Sequence, residues 1–192
     1  MSVVINTPID LEDVSDLRSL HAGDSVLLTG KIYTARDQAH RRMFELLEKG
    51  EPLPFDIRGS AVYYAGPTPD REGIAIGSVG PTTSGRMDSY SPRLLDIGNR
   101  IMIGKGRRSS SVREAIVRNS AVYLAAPGGA GALMAACVVS SEIVAWPDLG
   151  CEAVRRLRVE NMPLTVVIDT EGNDLYETGP SAYLAATEEK YA

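Results

Sequence analysis

Between residues 61 and 145 short apolar runs alternate with helix-like stretches, and the runs end in turns rich in glycine. Ala61–Ala65 reads as a strand that ends in Gly66-Pro67. Ile74–Val79 reads as a strand that ends in Gly80-Pro81, and Ile101–Ile103 as one that ends in Gly104-Lys105-Gly106. Ala121–Ala125, Val138–Ala145 and Thr165–Ile168 are further strands. Helices are expected over Asp37–Glu48, Ser91–Ile97, Ser111–Asn119 and Gly128–Ala136. Such alternation points to an α/β fold with a mixed, partly parallel sheet, because a helix returns the chain to the starting edge. Nearer the start, Val26–Leu28 and Lys31–Thr34 flank Gly30 like the arms of a hairpin and suggest a second, smaller sheet. Residues 1–192 read as a single domain, with 178–192 as a polar tail.

Charge and cysteine usage narrow the chemistry. A net charge of −5 argues against a general nucleic-acid binder. No apolar run approaches a membrane span, so no membrane partner is expected. The first ten residues lack the basic start and apolar stretch of a signal peptide, so the chain reads as cytoplasmic. Cys137 and Cys151 are the two cysteines, and His21 and His40 the two histidines. That set does not build a four-ligand zinc or iron–sulfur site, so no metal bound by this chain alone is expected. Both cysteines read as packing residues.

Three motifs carry the candidate chemistry, and each follows an expected strand. The first is Thr34-Ala-Arg-Asp-Gln-Ala-His40, at a strand end and helix start. A cation there opposes the helix dipole, so Arg36 either pairs locally or serves an anion. The second is Gly80-Pro-Thr-Thr-Ser-Gly-Arg86, a turn with three hydroxyls, Thr82, Thr83 and Ser84, and a guanidinium fork suited to a carboxylate or phosphate. The third is Gly104-Lys105-Gly106, whose glycines let backbone approach a ligand. The spacing of a nucleotide-hydrolysing loop is absent. In open α/β sheets ligands collect at strand carboxyl ends, so the three motifs are expected to share one site. Gly128-Gly-Ala-Gly131 fits tight helix–sheet packing, with Gly128 and Gly129 as candidates for the pocket border.

In this order, Thr34-Ala-Arg-Asp-x-Ala-His40, Gly66-Pro67, Gly80-Pro-Thr-Thr-Ser-x-Arg-Met87, Gly104-Lys-Gly106 and Asp169-Thr-x-Gly-Asn173 resemble class I fumarases over nearly the whole chain. The resemblance is to the C-terminal domain of the one-chain enzymes, which is the separate β subunit in split fumarase and L-tartrate dehydratase. It implies a three-layer β/β/α swivelling fold and a partner α subunit, in an α2β2 heterotetramer, that holds a [4Fe–4S] cluster with one open iron. It implies that Arg36, Arg86 and Lys105 bind substrate carboxylates, that Thr82 is the base for the C–H proton, and that His40, Ser84 and Gly104 lie nearby. Gly85 and the pair Arg107-Arg108 depart from the family pattern, with substrate choice as the expected consequence. The implied activity is reversible hydration of fumarate to malate by a hydro-lyase, with L-tartrate dehydration as the alternative. A phosphocarrier domain using His40 and a non-catalytic anion-binding module are the readings from other classes.

Overall fold

The computed structural model describes residues 2–69 and 72–191, the side chains of 185–191 excepted. The strands are β1 (Val3–Thr7), β2 (Ser25–Thr34), β3 (Ala61–Tyr63), β4 (Ile101–Gly104), β5 (Val122–Ala125), β6 (Val138–Ala145) and β7 (Val154–Ile168). The helices are α1 (Ser15–Arg18), α2 (Asp37–Glu48), α3 (Ser91–Asp96), α4 (Ser110–Arg118), α5 (Gly131–Ala136) and α6 (Leu175–Tyr191). The architecture is mixed α/β, as the alternation indicates. All seven strands belong to one sheet of order β1-β2-β3-β4-β5-β7-β6. β2, β3, β4 and β5 run parallel side by side. β7 is antiparallel to β5, β6 and β2. Its pairing with β2 closes the hydrogen-bond circuit β2–β3–β4–β5–β7 back onto itself.

Strand alternation sorts the apolar residues into two clusters on the two faces. Ile101 and Ile103 of β4 join Leu28, Ile32, Leu157 and Val159 in one cluster, which Leu17, Leu20 and Met134 cover. Met102, between them, joins the other cluster with Val62 and Tyr123. There α2 contributes Ala39 and Met43, α3 contributes Leu94 and Leu95, and α4 contributes Val112, Ala115 and Ile116. With both faces buried, the parallel strands read as continuous apolar runs rather than alternating ones.

Two expected elements differ. The hairpin about Gly30 is instead the single strand β2. Gly30 adopts φ +122°, and a side chain there would overlap the carbonyl oxygen of Thr7 on β1. The glycine therefore marks close backbone approach and a register shift against β7, not a turn. The strand expected at Ile74–Val79 is a loop. Its backbone bonds go to a neighbouring loop and to the start of α5, with Thr68 N–H to the Ser78 carbonyl (2.9 Å) and Val79 N–H to the Gly131 carbonyl (3.0 Å). The polar loop that precedes it includes Asp70 and Arg71, which lie outside the described residues. The first half of β7 was not expected as a strand. Its charged residues Arg156, Arg158 and Glu160 are exposed, while Leu157 and Val159 between them are buried. From residue 175 the tail is helix α6.

Candidate active site

Because β2 to β5 are parallel neighbours, the residues after them line one edge in sheet order. Arg36 follows β2, Gly66 follows β3, Gly104-Lys105 closes β4 and Gly128 follows β5. The Gly80–Arg86 segment is laced into this edge. Pro81 bridges Ala65 and Thr83 bridges Lys105. Thr82 N–H donates to the Tyr64 carbonyl (2.7 Å), and Ser84 N–H donates to the Lys105 carbonyl (2.9 Å). The chain then tightens into a 3-10 turn, Ser84–Met87, that carries Arg86. The three motifs thus share one edge, as the sequence suggested.

The cations there are held differently. Arg86 Nε lies 2.8 Å from Asp37 Oδ1 at the start of α2, and its side chain is half exposed. Arg36 precedes α2 and packs on Gly66, where a Cβ would come within 3.1 Å of its guanidinium. Arg36 Nη2 stands 3.6 Å from Glu152 Oε1, and Glu152 Oε2 also accepts the Gln38 N–H (2.9 Å). Glu152 so caps the helix that Arg36 opens. Asp37 therefore pairs with Arg86 and not with its neighbour Arg36. Lys105 is exposed and, among the described residues, has no carboxylate partner; its stem runs beside Gly128. Thr82 is half-buried and Thr83 exposed, as adjacent side chains in extended backbone require.

Behind the edge Ser84, Tyr123 and His40 are buried. Ser84 Oγ and Tyr123 OH are 2.9 Å apart, and Tyr123 OH donates to the Gly106 carbonyl (2.9 Å), so Ser84 is the donor between them. Gly104 is required here, because a Cβ on it would overlap Ser84 Oγ. His40 is fully buried, and burial pushes its imidazole down to about 4, with the Arg36 carbonyl acting in the opposite sense and Arg108 in the same sense. Its Nδ1 is 2.8 Å from that carbonyl, which only accepts, so Nδ1 carries the proton and Nε2 is a bare acceptor. His40 Nε2, Arg36 Nε and Asp37 Oδ2 are buried without a hydrogen-bond partner among the described residues. One donor and two acceptors thus stand together at one helix start, where water or a ligand can pair with them.

Arg107 and Arg108 do not extend the edge. Arg107 turns to the start of α6, donating to the Tyr176 carbonyl (3.2 Å). Arg108 is entirely buried between the rings of Tyr64 and Tyr123. Neither side chain faces the edge, so the effect on substrate choice expected of this pair would act through other residues. Sequence reasoning missed Glu152, Tyr123 and the Asp88 carboxylate that holds Arg108; Glu152 meets Gln38 across 114 residues, which no local pattern signals. Asp169 and Asn173 stand at the far end of β7, which is antiparallel to β5, and so lie at the opposite edge. There Asp169 collects the N–H groups of Ala22, Glu171 and Asn173.

Among the described residues no three His, Cys, Asp or Glu side chains are placed to hold a metal. Cys137 is half-buried and Cys151 exposed. The donors present do not fit an iron–sulfur cluster bound by this chain.

The family model described as the fumarase C-terminus matches residues 2–179. Fumarate hydratase 2 of Leishmania major is 40% identical over 92% of this chain, which covers 31% of that protein. The aerobic class I fumarate hydratase of Escherichia coli K12 is 39% identical over 91% of this chain, which covers 32% of it. The chain thus spans about a third of these hydratases. It spans 86% of the putative L(+)-tartrate dehydratase subunit beta of Methanocaldococcus jannaschii, at 42% identity over 84% of its own length. A match of this extent makes the chain a member of the fumarase C-terminus family.

Proposed function

We propose that this chain is the β subunit of a hydro-lyase that hydrates fumarate to malate, supplying the carboxylate-binding edge and the proton-abstracting Thr82. The observation that carries the reading is the convergence of Arg36, Arg86, Lys105 and Thr82 on the carboxyl edge of four parallel strands, beside three buried atoms with open hydrogen-bonding capacity. The edge is open to solvent, and a partner α subunit would close it, in an α2β2 assembly. The resemblance further supports a three-layer swivelling arrangement of the sheet and helices.

The chemistry follows from charge. Removing a proton beside a carboxylate spreads negative charge onto that carboxylate, and fixed cations stabilise it most where water is excluded. Lys105, with no carboxylate partner among the described residues, offers its full charge. Arg36 and Arg86 are pre-oriented by Glu152 and Asp37, so a substrate carboxylate meets them already aligned. Thr82 is fixed at the edge by its N–H on the Tyr64 carbonyl, two residues before the 3-10 turn that carries Arg86. A [4Fe–4S] cluster held by the partner would supply Lewis acidity toward the leaving hydroxyl. His40 does not suit phosphoryl transfer, since it is fully buried with Nδ1 engaged.

L-tartrate is the second substrate reading, favoured by the chain's coverage of 87% of the L(+)-tartrate dehydratase subunit beta of Escherichia coli K12. Steady-state kinetics of the complex on both substrates, with three variants, test the proposal. Thr82→Ala should lower kcat by roughly 10²–10⁴-fold with KM nearly unchanged. Arg86→Ala should raise KM and lower kcat together, by about 2 kcal/mol in kcat/KM, since the guanidinium is half exposed. Thr83→Ala should be mild. A crippled Thr83→Ala beside a near-wild-type Thr82→Ala would place the base one residue on, and a complex inert toward both substrates would sink the reading.

A further inference from the structure

Arg108 belongs to the same loop as Lys105, yet its side chain points inward and is wholly removed from solvent. Its Nε donates to Asp88 Oδ1 (2.7 Å), just past the Arg86 turn, and Asp88 Oδ2 accepts the Ser109 N–H (2.7 Å). Its Nη2 donates to Ser91 Oγ (2.7 Å), and Ser91 Oγ in turn donates to the carbonyl of Met87, the last residue of that turn (2.9 Å). Nη1 reaches Met102 Sδ (3.3 Å) on β4. The guanidinium lies 5.2 Å from the Tyr64 ring and 5.1 Å from the Tyr123 ring, and Tyr123 ties Ser84 to Gly106. One planar cation therefore fastens the turn that carries Arg86 to the loop that carries Lys105. Burial works against its charge, but Tyr64 and Asp88 outweigh that cost, so the fork stays ionised.

We propose that Arg108 is a positioning residue that sets the spacing between Arg86 and Lys105, and through it the length of dicarboxylate that the edge accepts. The inference rests on the dicarboxylate reading above. A lysine at this position keeps a charge beside Asp88 but, as a point cation, cannot hold Asp88, Ser91 and Met102 at once. The two substrate cations then move independently, and selection by length is what suffers first. A role in stability alone would weaken every ligand alike and leave the ratios between ligands unchanged.

The test is competitive inhibition of the intact complex by malonate, succinate and glutarate, in the wild type, Arg108→Lys and Ser91→Ala. Ser91→Ala removes the hydroxyl that joins Arg108 Nη2 to the Met87 carbonyl and that lies 3.2 Å from Tyr64 OH, leaves the Asp88 pair in place, and serves should Arg108→Lys fail to fold, as judged by circular dichroism. The wild type should favour succinate, and Arg108→Lys should lower the succinate-to-glutarate preference by about tenfold, the scale of a sub-ångström misplacement. Ser91→Ala should shift it in the same direction by less. Folded variants that weaken all three inhibitors equally, with the wild-type ratio intact, would overturn the inference alone. A wild-type complex that binds none of the three would overturn the dicarboxylate reading and the inference with it.

Discussion

Gly104→Ala isolates the tightest packing behind the candidate site. An added Cβ would overlap Ser84 Oγ, stand 3.0 Å from Tyr64 Cδ2 and 3.3 Å from Ser84 Cβ. Neither neighbour can yield freely. Tyr64 is fully buried, and Ser84 is anchored by its own N–H on Lys105 and its hydroxyl on Tyr123. Forcing a methyl into such a site costs about 1–3 kcal/mol. Driving Ser84 off Tyr123 adds about 1 kcal/mol for the hydrogen bond lost. The sum, about 2–4 kcal/mol, should lower Tm by roughly 5–15 °C in a chain of this size. Ser84→Gly removes two of the three close atoms and leaves only Tyr64 Cδ2, so the double variant should be more stable than the sum of the singles by about 2 kcal/mol. Urea unfolding of the wild type, both singles and the double closes the cycle. A Gly104→Ala cost below about 0.5 kcal/mol, or a cycle additive to that margin, would refute the packing argument.

Other outcomes follow from buried titratable groups. His40 should stay neutral at physiological pH, with ring signals that do not titrate between about pH 5.5 and 8 by NMR. Its folded value, about 4, lies below its ordinary 6.5, so the unfolded chain binds more protons in between; stability should fall as pH drops through that window, by up to about 3 kcal/mol, and His40→Gln should flatten the slope. Burial works to raise the Asp169 carboxyl, but hydrogen bonds from Asn173, Ala22 and Glu171 outweigh it and hold it below the ordinary carboxylate value. Its contribution is therefore present above that range and lost as pH falls through the lowered value. Asp169→Ala should cost about 1–3 kcal/mol at neutral pH in denaturant titrations, and an unchanged midpoint would show the turn to be dispensable.

What was legible in the sequence was local. Helix α2 has the bounds its amphipathic period marks, Asp37 to Glu48, and the other helices and most central strands fall within a few residues of their apolar runs. The three glycine- and cation-bearing turns announced the site, because parallel strands bring their carboxyl ends to one edge whatever the details of packing. Legibility failed where one residue type serves two geometries. Gly30 as a turn and Gly30 as the point where β2 meets β1 look alike in one dimension, and so do an apolar strand and the apolar loop Ile74–Val79.

The sequence by itself determined the α/β class, the parallel core and the identity of the candidate anion-binding groups, since these depend on period, turn chemistry and charge. Only the tertiary structure decided how the groups are held. β7 pairs with three strands, Glu152 caps a helix that begins more than a hundred residues earlier, and Arg108 is drawn into the core between two tyrosines while Lys105, three residues before it, faces outward. The physical reason is that a charge is buried only where partners from separate segments already stand to receive it. Asp88, Ser91, Tyr64 and Tyr123 meet at one point only once the sheet has closed, and no neighbouring residue in the chain encodes that meeting.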